Sequence, residues 1–97
     1  MPSFIFSPAA RQDLIEIWQY IAEENIETAT KILSKIEEKC HMLSEFPHLG
    51  HQRKDLTNHP VLFWPVYNYL IIYKQDTNPL EIVRVLNGYR NLIDLLQ

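Results

Sequence analysis

Apolar residues follow two different rhythms in the two halves of this chain. In the first half, Ala10, Leu14, Ile17, Trp18 and Ile21 recur every three or four positions, with Arg11, Asp13, Glu16 and Glu23 on the other side. That is the pattern of an amphipathic helix. Ser7-Pro8 marks its start: the Ser7 oxygen can cap exposed backbone N–H groups, and Pro8 sits where a missing donor costs nothing. The helix is expected to stop near Glu24-Asn25. A second set, Ala29, Ile32, Leu33, Ile36, Cys40 and Leu43, continues to Phe46, and Pro47 ends it. The short join predicts an antiparallel helical hairpin.

The second half changes period. Residues 61–66, 69–73 and 80–86 are runs of β-branched and aromatic residues, interrupted at Asn68 and at Gln75-Asp76-Thr77-Asn78-Pro79. This predicts a meander of antiparallel strands. In the middle run Tyr69, Ile71 and Tyr73 alternate with Leu70 and Ile72, which suits a central strand covered on one side and partly exposed on the other. Phe4-Ile5-Phe6 is a further short strand, and residues 47–60 are a polar connector. Residues 91–97, with Leu92, Ile93, Leu95 and Leu96, form a short closing helix or an extended tail. The order predicts an α+β fold: an N-terminal strand, a helical hairpin packed on a small antiparallel sheet, and a short C-terminal tail or helix. Its 97 residues make one domain, 1–97.

Composition narrows the function. An apolar fraction of 46% with only two Gly describes a folded chain. Its apolar runs are too short to span a bilayer, and residues 1–6 lack a signal-peptide pattern, so a soluble cytoplasmic protein with no membrane partner is expected. The single cysteine agrees with a reducing compartment. Nine Lys and Arg against 12 Asp and Glu give a net charge of −3, which leans against direct nucleic-acid binding, since phosphate neutralisation supplies most of that affinity.

Few residues carry chemistry. His48-x-x-His51 has no Cys and no third ligand at a recognised spacing, so no metal site is expected. Glu37, His41 and Glu45 read as an exposed polar stripe, as do Lys31, Lys35 and Lys39. Cys40 lies on the apolar stripe and reads as a core residue. Trp18, Phe63 and Trp64 read as packing residues, not as a stacking platform for bases. No phosphate-binding glycine loop is present, and no cofactor is expected. Arg84 stands inside an apolar strand and Arg90 just past Asn87-Gly88. With Lys74 and Arg53 or Lys54 they are candidates for a small cationic cluster; the alternative is an ion pair with Glu81 or Asp94.

FSPAARQDLIEIWQYIAEEN, FPHLGHQRKDL, FWPVYNYLIIYK and EIVRVLNGYRNLIDLL, in this order and spacing, resemble the ParE branch of the ParE/RelE toxin superfamily. The resemblance covers almost the whole chain. It implies a strongly curved sheet, membership of a type II toxin–antitoxin pair in a prokaryote, and a cognate antitoxin whose C-terminal segment lies along the hairpin and sheet. ParE-like members inhibit DNA gyrase without being enzymes, whereas RelE-like members cleave mRNA on the ribosome. Three positions depart from the family pattern: Leu62 replaces a frequent Arg, and Asn87 and Asn91 replace His and Asp. A weakened toxin that only binds its antitoxin is therefore a further reading. Arg84, Arg90, Leu92 and Leu96 are expected to contact the target, and Trp18, Tyr20, Tyr69 and Tyr73 the antitoxin. For RNA cleavage, Arg84 and Arg90 are the candidate charges and Tyr73 or His59 the candidate proton donors.

Overall fold

The structure, a computed structural model, describes residues 3–88. Seven elements follow one another: strand β1 (Phe4–Phe6), helices α1 (Pro8–Ala22) and α2 (Ile26–Glu45), a single 3-10 turn (Pro47–Leu49), and strands β2 (Leu62–Val66), β3 (Tyr69–Lys74) and β4 (Leu80–Asn87). The closing tail expected at 91–97, together with Arg90, Leu92 and Leu96, lies outside the described residues.

Local chemistry sets the boundaries of the hairpin. The Ser7 hydroxyl accepts from the Ala10 N–H at 3.0 Å, and Pro8 opens α1, as the Ser-Pro pair predicts. Asn25 caps α2 in the same way, its side-chain oxygen accepting from the Thr28 N–H at 3.0 Å. Both helices end slightly earlier than their apolar spacing implies, α1 at Ala22 and α2 at Glu45.

The sheet runs in the order β1-β4-β3-β2. Strands β2, β3 and β4 form the expected antiparallel meander. The sequence leaves the partner of β1 open; it joins β4 in parallel, Phe4 beside Leu80 and Phe6 beside Ile82. The sheet is therefore mixed. Between Ile72 and Tyr73 the register shifts, so that Ile72 faces Arg84 and Tyr73 faces Ile82. Val83 is the extra residue of a β-bulge, which bends β4 and changes which way its side chains point. Ile82 and Val85 consequently both enter the main core, and Arg84 is spared burial within it.

That core lies between the hairpin and one face of the sheet, where Ile36, Cys40 and Leu43 of α2 meet Ile71, Tyr73, Ile82 and Val85. Cys40 is fully buried as expected; burial, with a smaller contribution from the charge of Glu37, pushes its thiol up to about 12. On the opposite face, Phe63, Ile72 and Leu86 form a second cluster partly covered by Leu56 from the connector and by Val61 just before β2. The connector is fastened to the sheet by Tyr73, whose hydroxyl donates to the Pro47 carbonyl at 2.7 Å and accepts from the Gly50 N–H at 2.8 Å. His51 adds a two-way backbone bridge to Phe63, with N–O distances of 2.8 and 2.9 Å.

Candidate protein-interaction site

Strand β1 covers β4 only as far as Ile82, and the next groups along that edge are taken by side chains and backbone of the α1 entry. The Ser7 N–H donates to the Ile82 carbonyl at 2.9 Å, and the Ser7 hydroxyl donates to the Val83 carbonyl at 2.7 Å. Asp13, one helical turn and a half further on, is only 7% exposed. It accepts from Arg84 Nε at 2.7 Å, Arg84 Nη2 at 2.8 Å and the Val85 N–H at 3.0 Å. A carboxylate that α1 carries on its polar side thus closes the open edge of β4. The hydrogen bonds to Asp13 raise the pKa of Arg84 further, so the guanidinium stays charged.

This pairing accounts for the described members of the cationic cluster. Among the described residues Arg84 is ion-paired with Asp13, not with Glu81, while Lys74 reaches Glu81 at 3.5 Å and Arg53 reaches Asp55 at 2.9 Å. Each of these three cations has its own carboxylate, so they do not combine into one patch.

Two depressions flank α1. The first, about 300 Å³ and walled almost wholly by apolar atoms, lies between Leu14, Ile15, Trp18 and Gln19 of α1 and Leu33 of α2. Trp18, one of the residues expected to meet an antitoxin, lines this groove. Ile15, half exposed, was not foreseen as part of a site. Its signal was an apolar side chain displaced from the stripe of Leu14, Ile17, Trp18 and Ile21. The second depression, about 470 Å³, runs between α1 and β4, with Glu16 and Tyr20 on one wall and Tyr69 and Asn87 on the other. The Tyr69 phenol is pushed up first by burial and then by the neighbouring Tyr20. Tyr20 and Tyr69 therefore meet at one place, with Tyr20 largely exposed.

Tyr73 does not belong with them. It is 0% exposed, its ring lies in the main core and its hydroxyl is occupied by Pro47 and Gly50, so it offers no surface to a partner. Of the four residues expected to meet an antitoxin, Tyr73 is the one that is fully buried. Leu62, the position where the resemblance implied Arg, is likewise buried in the core.

The histidines are dispersed. His51 stacks on Trp64, ring centroids 6.1 Å apart and planes within 5°, whereas exposed His48 meets Phe46 edge-on. His59 lines a polar cleft of about 430 Å³ with Arg53, Lys54 and Asp76. Among the described residues, no three side chains of the metal-binding types converge. No described helix is long and apolar enough to cross a membrane.

Residues 4–92 match the model of the family described as the ParE toxin of the type II toxin–antitoxin system parDE. The chain belongs to the ParE toxin family. Among its relatives is Toxin ParE3 of Caulobacter vibrioides (strain ATCC 19089 / CIP 103742 / CB 15), 33% identical over 81 residues, which span 82% of this chain and 80% of that protein. A solved structure, the chromosomal ParDE TA system from P. aeruginosa, superposes with a TM-score of 0.72 at 20% identity, covering 90% of this chain and 96% of that one. The ParE-like fold, a helical hairpin packed on a small sheet, is thus shared with a solved structure, as the resemblance implied; the sheet expected to be antiparallel is mixed, because β1 joins β4 in parallel.

Proposed function

We propose that this ParE-family chain is a cytoplasmic toxin that acts by binding, not catalysis: it inhibits DNA gyrase and is neutralised by a cognate antitoxin. The observation that carries the choice of mechanism is where Tyr73 and Arg84, two of the candidate RNA-cleaving groups, lie. Cleavage needs a base, an acid and cations able to face the phosphorane charge. Tyr73 is sealed in the core, its phenol pushed up by burial. Arg84 spends Nε and Nη2 on Asp13. What α1 offers instead is an exposed apolar groove at Trp18 and a tyrosine-lined cleft, features that suit an amphipathic segment of a protein partner.

On this reading the antitoxin occupies the Trp18 groove and the Tyr20/Tyr69 cleft. Arg90, Leu92 and Leu96 contact gyrase, and Arg84, held by Asp13, positions the strand that leads to them. The test is a supercoiling assay with purified gyrase and the full chain. Supercoiling falls in its presence, and Arg90→Ala weakens the inhibition at least about tenfold, the scale of an interfacial anchor. Undiminished supercoiling with mRNA cleavage in a translation extract transfers the chain to the RelE-like mechanism. Silence in both assays leaves a protein that only binds its antitoxin.

A further inference from the structure

Tyr67 is the first of two turn residues joining β2 to β3, between the facing pair Val66 and Tyr69. Its φ is 54°, in the left-handed region that side chains with a β-carbon avoid and that hairpin turns ordinarily fill with Gly or Asn. No other non-glycine residue among those described has a positive φ. Burial does not repay this choice, because Tyr67 is 58% exposed and packs into neither hydrophobic cluster. The turn is nonetheless firmly held: the Asn68 carbonyl accepts from the Gly88 N–H at 2.7 Å, tying the hairpin tip to the end of β4. A bulky aromatic ring is therefore displayed on a fixed support, in the backbone slot that suits it least. Local strain of this kind, with no packing in return, marks positions kept for function.

We infer that Tyr67 is a contact residue for the toxin's protein target, separate from the antitoxin surface; this rests on the reading of the chain as a toxin that acts by binding. Three features select that partner. Tyr67 lines neither the Trp18 groove nor the Tyr20/Tyr69 cleft, so an occupant of both can leave it uncovered. It stands at the end of the sheet from which the chain runs on, through Gly88, to Arg90. The net charge of −3 favours a protein surface over a nucleic acid. Tyrosine and arginine together are the residue types that dominate protein hot spots. The complementary feature on the target is a shallow apolar pocket with an acceptor at its floor or rim for the phenolic O–H.

The test compares wild type, Tyr67→Asn and Tyr67→Phe as full chains, by growth arrest on induction, antitoxin affinity and thermal unfolding. Asn fits the left-handed slot, so Y67N unfolds at the same temperature as wild type or about 2–5 °C higher. It binds the antitoxin with unchanged affinity and loses at least about tenfold in growth-inhibiting potency, the loss expected for a hot-spot ring. Y67F keeps the ring and keeps most of the potency. Because Y67N is at least as stable as wild type, misfolding does not account for its loss. Wild-type potency in Y67N, or a weakened antitoxin complex, overturns the assignment while the toxin reading stands. A wild-type chain that arrests no growth overturns both.

Discussion

Gly50 has a φ of −67°, a value any residue adopts, so its missing side chain answers to space and not to backbone conformation. A β-carbon there meets the Tyr73 hydroxyl, Tyr73 Cε1 at 2.8 Å and Leu62 Cβ at 2.9 Å, all parts of a packed core. Gly50→Ala is expected to cost about 1–3 kcal/mol, as overpacking does, read from the midpoint of denaturant unfolding. The same substitution costs less in a Tyr73→Phe background, because the hydroxyl is gone. Little of this was legible beforehand. The alternation of Tyr69, Ile71 and Tyr73 correctly placed them on one face, but aromatic character alone put Tyr73 on a partner surface. Its actual partners are a carbonyl and an N–H in a polar loop, and backbone groups leave no mark in sequence. Cys40 was the easier case, since its position on the apolar stripe of α2 was sufficient to bury it.

Elements were legible where their determinants are local. Ser7-Pro8 and the three-to-four spacing define α1, and Asn68 splits the β2–β3 hairpin within a residue of where the structure turns. What joins elements was not legible. Asp13 reads as a surface charge on the polar side of α1, yet it is buried because β1 is three residues long and leaves most of β4's edge uncovered. The bulge at Val83 then brings Arg84 to it. Asp13→Ala is expected to destabilise the fold by about 2–4 kcal/mol, since it strips a part-buried guanidinium of its acceptor and leaves the Val85 N–H without one. Asp13→Ala combined with Arg84→Met is expected to cost less than the two single losses added, and chemical denaturation of the four proteins measures the coupling.

At the scale of the molecule, the hairpin on one face and the connector on the other leave the sheet covered on both sides. The connector's contribution had a faint signal: Leu49 and Leu56 are the only aliphatic residues in 47–60, and each packs on a different cluster. The two depressions beside α1 had weaker signals still, because a groove depends on the angle between elements and spacing within one element does not encode it. Trp18 forms part of the wall of the apolar groove, so Trp18→Ala is expected to weaken antitoxin binding about 10–100-fold while growth inhibition persists. Titration of the toxin variant with antitoxin, followed by calorimetry, checks it; an unchanged affinity places the antitoxin elsewhere.

The parallel pairing of β1 with β4 makes the first strand of the described chain wait for the last. Ser7 finds its acceptor on Val83, 76 residues downstream. At about 5–20 residues per second of synthesis, roughly 4–15 s separate the two on the ribosome. Until then the hairpin has no sheet to lie on, and Asp13 has nothing to close. A message broken or a ribosome stalled before β4 therefore releases a fragment without the assembled surface. The fold, and with it the surface proposed for a partner, therefore comes into being only once β4 has been made.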